Sequence, residues 1–309
     1  MSAGLSSPAS RYAWYRTLPP VLRGGLWMIV GTFAFAVMII LVRQTSQTFT
    51  AFEITFWRAL FGLAFMAPWV MQVKFAGLRT SRPGLHIWRN TLHVIGIVLW
   101  YYAIARINLS EGMALQFTVP LFTIALAMLF LKERVDGRRW AATFVGFAGV
   151  VIILRPGMVD ISPVAVVVIV SAMFYAASNI YTKMLAGSDN ANVIVFYMNL
   201  IHIPLALIGV VATGWTAPGW VDLGWLIAVA GAATLAHFCL ANALREADAS
   251  LVMPFDFLKL PWVTLLAVLA FDEMPSVWGW IGGLVIFASV TYIVRRETRI
   301  GRAAMNPNE

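Results

Sequence analysis

The chain alternates between long apolar stretches and short polar connections from about residue 22 to its C-terminal tail. Ten of the stretches approach the roughly 20 apolar residues that a helix needs to cross a bilayer. None shows the alternation over about ten residues that is typical of a membrane β-barrel strand. The pattern predicts an all-α integral membrane protein with ten transmembrane helices. The predicted spans are 23–42, 51–71, 85–105, 109–131, 138–155, 162–184, 192–212, 223–243, 249–271 and 276–294.

Composition supports a chain that is surrounded by membrane lipid. Hydrophobic residues make up 61% of the sequence and charged residues 12%, whereas a soluble domain has about 25% charged residues. The net charge is +8, but the basic residues are spread over short connections and do not form one continuous face. We therefore expect no nucleic-acid partner.

The distribution of lysine and arginine predicts the orientation of the helices. The odd-numbered connections contain only Arg43, Arg106 and Arg155. Arg58 and Lys259 lie inside spans, and the other 17 of the 22 basic residues, Arg89 among them, are assigned to the tails and the even-numbered connections. Positively charged connections stay in the cytoplasm. The bias predicts a multi-pass protein of the cell inner membrane with both termini cytoplasmic.

An internal repeat appears when the sequence is shifted by 140 residues against itself. The shift aligns Phe117 with Phe257, Glu133 with Glu273, Trp140 with Trp280, and Phe35 with Tyr175. Each unit has five spans, an odd number, so the second unit must enter the membrane from the opposite side. The repeat predicts two inverted five-helix units, at 23–155 and 162–295, with tails at 1–22 and 296–309. Inverted repeats are characteristic of secondary transporters, whose binding sites lie near the bilayer midplane.

The end of the first unit resembles an EamA repeat of the drug/metabolite transporter superfamily. Residues 114–153 contain Pro120 in the fourth span, the acidic Glu133 thirteen positions later, and a glycine-rich fifth span. The segment TFWRAL, which contains Arg58, resembles the arginine-containing second span of that family. The second unit retains LAFDE at 269–273, but it has Met198 where an equivalent of Arg58 would stand. Its Pro261 is also one position from the equivalent of Pro120.

The resemblance implies a fold and a general role. It covers residues 24–295 and implies a carrier of small organic metabolites. In this family, spans one, three, four, six, eight and nine are expected to surround the substrate cavity.

Charged residues inside the spans are the first candidates for a binding or coupling site. Asp256 and Lys259 lie three residues apart in the ninth span, so they share a helix face. A charge at the bilayer centre costs about 2.5–3.5 kcal/mol on insertion scales, which favours a paired position on an interior cavity. Arg58 either holds an anionic group of the substrate or pairs structurally with Glu53, Glu111 or a helix end.

Prolines and polar or aromatic residues in the spans complete the candidate set. Pro120, Pro254 and Pro261 are candidate hinges because proline interrupts helical hydrogen bonds. The further candidates for substrate binding are Trp27, Phe35, His93, Tyr101, Gln116, Tyr175, Asn179, His237 and Asn242. The structural alternative is that the histidines are neutral and hydrogen-bonded, that the amides join helices, and that the aromatic rings fill packing positions.

These features favour a secondary transporter that moves an amino acid-like or other amphipathic metabolite by alternating access. The alternatives are a vitamin or nucleoside-type importer of the same fold, a membrane-embedded enzyme, and a channel. The sequence has no HExxH, GxSxG or P-loop motif, and its histidines have no second ligand at helical spacing. We therefore expect no catalytic activity, metal or cofactor. Proton coupling, with Asp256 as its first candidate, and a homodimer are further hypotheses.

Overall fold

A computed structural model describes residue 15, residues 17–73, 75–106, 109–116, 118–133, 137–154 and 163–271, and separate positions between 277 and 295. All regular secondary structure in these residues is helical. The helices are α1 (Pro20–Thr45), α2 (Ala51–Val73), α3 (Pro83–Ile104), α4 (Leu109–Gln116), α5 (Val119–Leu126), α6 (Gly137–Leu154), α7 (Pro163–Ala186), α8 (Ala191–Thr213), α9 (Trp220–Glu246), α10 (Ala249–Val252) and α11 (Lys259–Phe271).

Six helical segments in the described part of the chain are long and apolar enough to cross a membrane. They are Pro20–Thr45, Ala51–Val73, Pro163–Ala186, Ala191–Thr213, Trp220–Glu246 and Ala249–Leu266. Helix α3 occupies a further predicted span, and its buried face carries charged and polar residues. Only separate positions of the tenth predicted span, 276–294, are among the described residues. The prediction of an all-helical membrane protein is therefore confirmed, whereas the number of ten spans remains a prediction.

The helix ends follow local sequence signals. Pro20 and Pro83 stand in the first turns of α1 and α3, where a missing N–H costs no helical hydrogen bond. The Asn190 side chain accepts a hydrogen bond of 2.9 Å from the amide of Val193 and so caps α8,.

The fourth predicted span is divided into two helices. Helix α4 ends at Gln116, Thr118 forms a turn, and α5 begins with Pro120 in its first turn. Because proline has no N–H, Pro120 cannot donate to the carbonyl of Gln116, four residues earlier. After α5, a π-helical turn at Ala127–Leu131 ends at Lys132, which adopts a left-handed conformation with φ 54°.

The ninth predicted span is interrupted in the same way. The short helix α10 is followed by a 3-10 segment, Met253–Leu258, and then by α11. Pro254 lies in the first turn of the 3-10 segment and cannot donate to Ser250. Asp256 therefore stands on the 3-10 segment and Lys259 on the first residue of α11. Pro261 lies in the first turn of α11. The three prolines are at interruptions, but their role as hinges concerns movement and stays a prediction.

The repeat is visible in how the helices cross. Helix α1 packs against α9, and α7, the repeat equivalent of α1, packs against α3, the equivalent of α9. A Cβ atom built on Gly31 would lie 3.5 Å from the carbonyl oxygen of Ala236, and one built on Gly96 would lie 3.4 Å from that of Ser171. The shift of 140 relates Gly31 to Ser171 and Gly96 to Ala236. Both crossings therefore use the same register, and small residues bring the helices together.

Two charged side chains hold the connection between α9 and α10. The Lys183 ammonium donates to the carbonyl oxygens of Leu244 and Ala247, at 2.9 and 2.6 Å. The Glu133 carboxylate accepts from the amides of Ala249 and Ser250, at 3.0 and 3.1 Å. A cation thus faces the negative end of α9, and an anion faces the positive end of α10. These contacts fix the start of the segment that carries Asp256.

Candidate functional site

A cavity lies between α1, α3, α7, α9, the interrupted pair α4 and α5, and the segment from Met253 to α11. These elements correspond to spans one, three, four, six, eight and nine, the set that the family resemblance implies. The space, measured to its open edges, is about 770 Å³. Its lining is Met28, Gly31, Thr32, Phe35, Ile39, Arg89, His93, Met113, Gln116, Val119, Tyr175, Asn179, Ala236, His237, Leu240, Asp256 and Lys259.

Asp256 and Lys259 form an ion pair on the cavity wall. The distance from the Asp256 carboxylate to the Lys259 ammonium is 2.6 Å, and the side chains are 11% and 17% exposed. The ammonium also lies 3.9 Å from the centroid of the Phe35 ring, which is a cation–π contact. A carboxylate, an ammonium and an aromatic face are thus presented together at the interruption of the ninth span.

Arg89 is a second cation on the cavity wall, and its site role was missed from the sequence. The residue is 3% exposed and lies inside α3, so its assignment to a cytoplasmic connection was wrong. Its Nε donates to Thr182 at 3.1 Å, and Nη1 donates to Asn90 at 2.6 Å. No carboxylate of a described residue lies within 4.0 Å of the guanidinium. The spacing of Arg89 and His93, four residues apart on one helix face, is the signal in the sequence that could have indicated this position.

Three histidines and Arg58 form a hydrogen-bonded chain that reaches the cavity. Arg58 Nη2 lies 3.0 Å from His202 Nδ1, and His202 Nε2 lies 3.3 Å from His93 Nδ1. His93 Nε2 in turn lies 3.1 Å from His237 Nε2. Arg58 is on α2, His202 on α8, His93 on α3 and His237 on α9. The chain therefore crosses the bundle, and only its last two members line the cavity.

Glu53, one of the alternative structural partners of Arg58, does not pair with it. Glu53 lies five residues earlier, which is about 140° around the helix and hence on another face. Its carboxylate accepts from the amide of Thr50 at 2.8 Å and from the amide of Thr216. The side chain of Glu111, the other expected partner, lies outside the described residues. Arg58 has no carboxylate partner within the described part of the chain.

Comparison with known proteins assigns the chain to a family. A sequence model of the EamA-like transporter family matches residues 22–155 and again residues 162–295. The chain belongs to the EamA-like transporter family. It is therefore a multi-pass membrane protein of the drug/metabolite transporter superfamily that moves small molecules, and it is not an enzyme.

Relatives of this EamA protein include transporters named for riboflavin and for S-adenosylmethionine. It is 33% identical to a riboflavin transporter of Vibrio cholerae, over 92% of this chain and 97% of the relative. It is 32% identical to a riboflavin transporter of Rhizobium johnstonii, over 89% and 92%. An S-adenosylmethionine uptake transporter of Rickettsia bellii is 26% identical, over 88% and 94%. A solved crystal structure of a protein that is 18% identical shares the fold, with a TM-score of 0.72 over 88% of this chain and 96% of that one.

Three further sequence candidates lie away from the cavity of this EamA protein. Trp27 Nε1 donates to the Tyr15 hydroxyl at 2.8 Å, and Asn242 donates to the carbonyl of Phe238 at 2.9 Å. Tyr101 is 2% exposed and belongs to the main apolar core. Partial burial raises the pKa of the Tyr15 hydroxyl, which therefore stays protonated and donates to Glu246 at 3.2 Å. The remaining candidates, Phe35, Gln116, Tyr175 and Asn179, line the cavity.

Proposed function

We propose that this EamA protein imports a planar heteroaromatic, vitamin-like metabolite across the cell inner membrane by alternating access. The observation that carries the proposal is the chemistry of the cavity wall. The cavity is lined by the aromatic rings of Phe35 and Tyr175 and by hydrogen-bond donors on Arg89 and Lys259. Stacking of a planar ring on an aromatic side chain is worth about 1–3 kcal/mol per base in single-stranded nucleic-acid complexes. Two relatives, at 32% and 33% identity, are named riboflavin transporters.

The charge of the site favours a substrate rich in acceptor atoms. Asp256 and Lys259 compensate each other, whereas Arg89 and Arg58 have no carboxylate partner among the described residues. Unpaired cations in a low-dielectric interior strongly favour anionic or electron-rich partners. Carbonyl oxygens at the rim of a heteroaromatic ring would meet that requirement without a full negative charge.

An adenosylated amino acid is the second candidate, supported by the relative from Rickettsia bellii. The Arg89 guanidinium, which has no carboxylate partner among the described residues, would receive its carboxylate, and the Asp256 carboxylate would face its cationic groups. The purine would use the same aromatic faces. The two candidates differ in charge, so one transport experiment separates them.

Transport into vesicles tests the substrate proposal. We expect purified protein in proteoliposomes to take up radiolabelled riboflavin with saturable kinetics, and to do so more efficiently than S-adenosylmethionine. A matched series with and without a pH gradient tests proton coupling through Asp256. Uptake of S-adenosylmethionine alone would replace the first candidate by the second. Uptake of neither compound would remove both, and ohmic conductance would indicate a channel.

The topology that we propose has ten transmembrane helices in two inverted units, 23–155 and 162–295, with tails at 1–22 and 296–309 in the cytoplasm. The charge bias of the connections and the equivalent crossings at Gly31 and Gly96 support it. Alternating access would rock one unit against the other, with Pro120, Pro254 and Pro261 as hinges. A homodimer remains a hypothesis.

Cysteine labelling at repeat-equivalent positions tests the inversion. Thr48 and Ser188 are both exposed and are related by the shift of 140. In a Cys239→Ala background, we expect Thr48→Cys in intact cells to react with an impermeant maleimide and Ser188→Cys to react only after the membrane is opened. Reaction of both positions from the same side would overturn the inverted arrangement. Denatured protein serves as the control for full reactivity.

A further inference from the structure

The hydrogen-bonded chain from Arg58 has a fixed direction because its first member can only donate. A guanidinium carries five N–H donors and no acceptor. His202 Nδ1, which lies 3.0 Å from Arg58 Nη2, must therefore accept. A neutral imidazole that accepts at Nδ1 carries its proton on Nε2. His202 consequently donates through Nε2 to His93 Nδ1, at 3.3 Å.

The same rule continues to the wall of the cavity. His93 accepts at Nδ1, so its proton lies on Nε2, which donates to His237 Nε2 at 3.1 Å. His237 must then carry its proton on Nδ1. This residue is 5% exposed, and its Nδ1 is buried with no partner among the described residues. The chain therefore ends in a donor that lacks a partner, on a residue that lines the cavity. A buried donor without an acceptor is costly, so this position favours an acceptor atom.

Reversal of the chain is blocked at its start. If His237 accepted a hydrogen bond at Nδ1, its proton would move to Nε2 and the other two rings would reverse in turn. His202 would then direct an Nδ1 proton at the N–H of Arg58, and two donors would face each other at 3.0 Å. The same clash opposes an excess proton that travels along the three rings. Arg58 therefore holds all three imidazoles neutral and in one tautomeric order.

We infer that Arg58, through His202 and His93, holds His237 in its Nδ1–H tautomer, so that His237 donates a hydrogen bond to the substrate. This inference rests on the proposed function, and it restricts the substrate to compounds that place a carbonyl oxygen or a bare ring nitrogen at that point. Arg58, His202 and His93 are positioning residues, whereas His237, on the cavity wall, is the member that would donate to the substrate. An ammonium group or an apolar hydrocarbon group at this position is rejected, because neither offers a hydrogen-bond acceptor.

Nitrogen NMR of the substrate-free protein tests the tautomers without any assumption about the substrate. The chain has four histidines, so ¹⁵N-histidine labelling in nanodiscs gives few signals, which single His→Gln variants assign. At about pH 8, where a free imidazole is neutral, we expect His237 as the Nδ1–H form and His93 and His202 as Nε2–H forms. Observation of His237 as the Nε2–H form or as imidazolium overturns the inference.

Riboflavin binding, measured by quenching of its fluorescence, tests the consequence for the substrate. Arg58→Met removes the directing donor and should raise the Kd about tenfold, as expected for one lost hydrogen bond. Arg58→Lys retains a group that only donates and should recover part of the affinity and the Nδ1–H signal of His237. Arg43→Met, at an exposed position at the end of α1, is the matched control. An unchanged Kd in Arg58→Met, with folding verified by thermal unfolding, contradicts the inference.

The two experiments separate failure of the inference from failure of the proposed function. Absence of riboflavin binding by the wild type refutes the proposed substrate, while the NMR result still decides the tautomer of His237. Binding by the wild type together with the Nε2–H form of His237 refutes the inference alone.

Discussion

Replacing Asp256 with asparagine is expected to abolish uptake, with less than about a tenth of the wild-type rate remaining. The change leaves the Lys259 ammonium without its carboxylate at 2.6 Å. Removing one partner of a buried ion pair costs about 3–5 kcal/mol, because the other charge is left uncompensated. The partial exposure of Lys259 places this pair at the lower end of that range. The lost carboxylate would also remove the first candidate for proton coupling.

The double variant Asp256→Asn/Lys259→Met separates a structural tie from a functional pair. Removing both charges should restore thermal stability in detergent but not uptake, which is measured per amount of folded protein in vesicles. If uptake returned together with stability, the pair would only join the two segments. Asp248→Asn is the matched control, because Asp248 is a half-exposed carboxylate at 3.9 Å from Lys183 and outside the cavity.

Replacing Arg89 with glutamine is expected to raise KM by about 10- to 100-fold, which corresponds to one charge-assisted hydrogen bond of about 1.5–3 kcal/mol. The amide can still bond Thr182 or Asn90, so packing between α3 and α7 is largely preserved. What the variant lacks is the unpaired positive charge on the cavity wall. The measurement is initial-rate uptake as a function of riboflavin concentration, with S-adenosylmethionine in a parallel series.

The split between KM and the maximal rate distinguishes binding from support of the fold. A purely structural Arg89 would lower the melting temperature and the maximal rate while KM stayed constant, and that result would refute a role in binding. Arg89→Lys should recover part of the affinity. Arg82→Gln, at the exposed start of the same helix, should leave KM unchanged.

Much of the fold can be predicted from the sequence because the membrane imposes one-dimensional rules. A span needs a certain length of apolar residues, and lysine and arginine in short connections mark the cytoplasmic side. The helices α1, α2 and α7 to α9 therefore lie where the apolar stretches predict them. The interruptions near Pro120 and Pro254 are equally local, since they follow from a missing N–H.

The residues of the candidate site were predicted only in part from the sequence. Asp256, Lys259 and His93 were identified because charged and polar residues inside a span are rare. Arg89 was misassigned because its distance from the start of α3 is compatible with a connection as well as with a cavity wall. Trp27 and Tyr101, in contrast, were indicated by residue type but lie away from the cavity.

The sequence by itself determined the apolar spans, their repeat of 140 residues, the family and the residue types available for a site. Only the tertiary structure decided which of these residues meet. Arg58, His202, His93 and His237 come from four helices, and the contacts between them join residues that are 109 or 144 positions apart. Their contact depends on the rotation and crossing of each helix, which packing between small residues sets across the bundle. Periodicity along one helix specifies a face, but it contains no information on the partner that the face will meet.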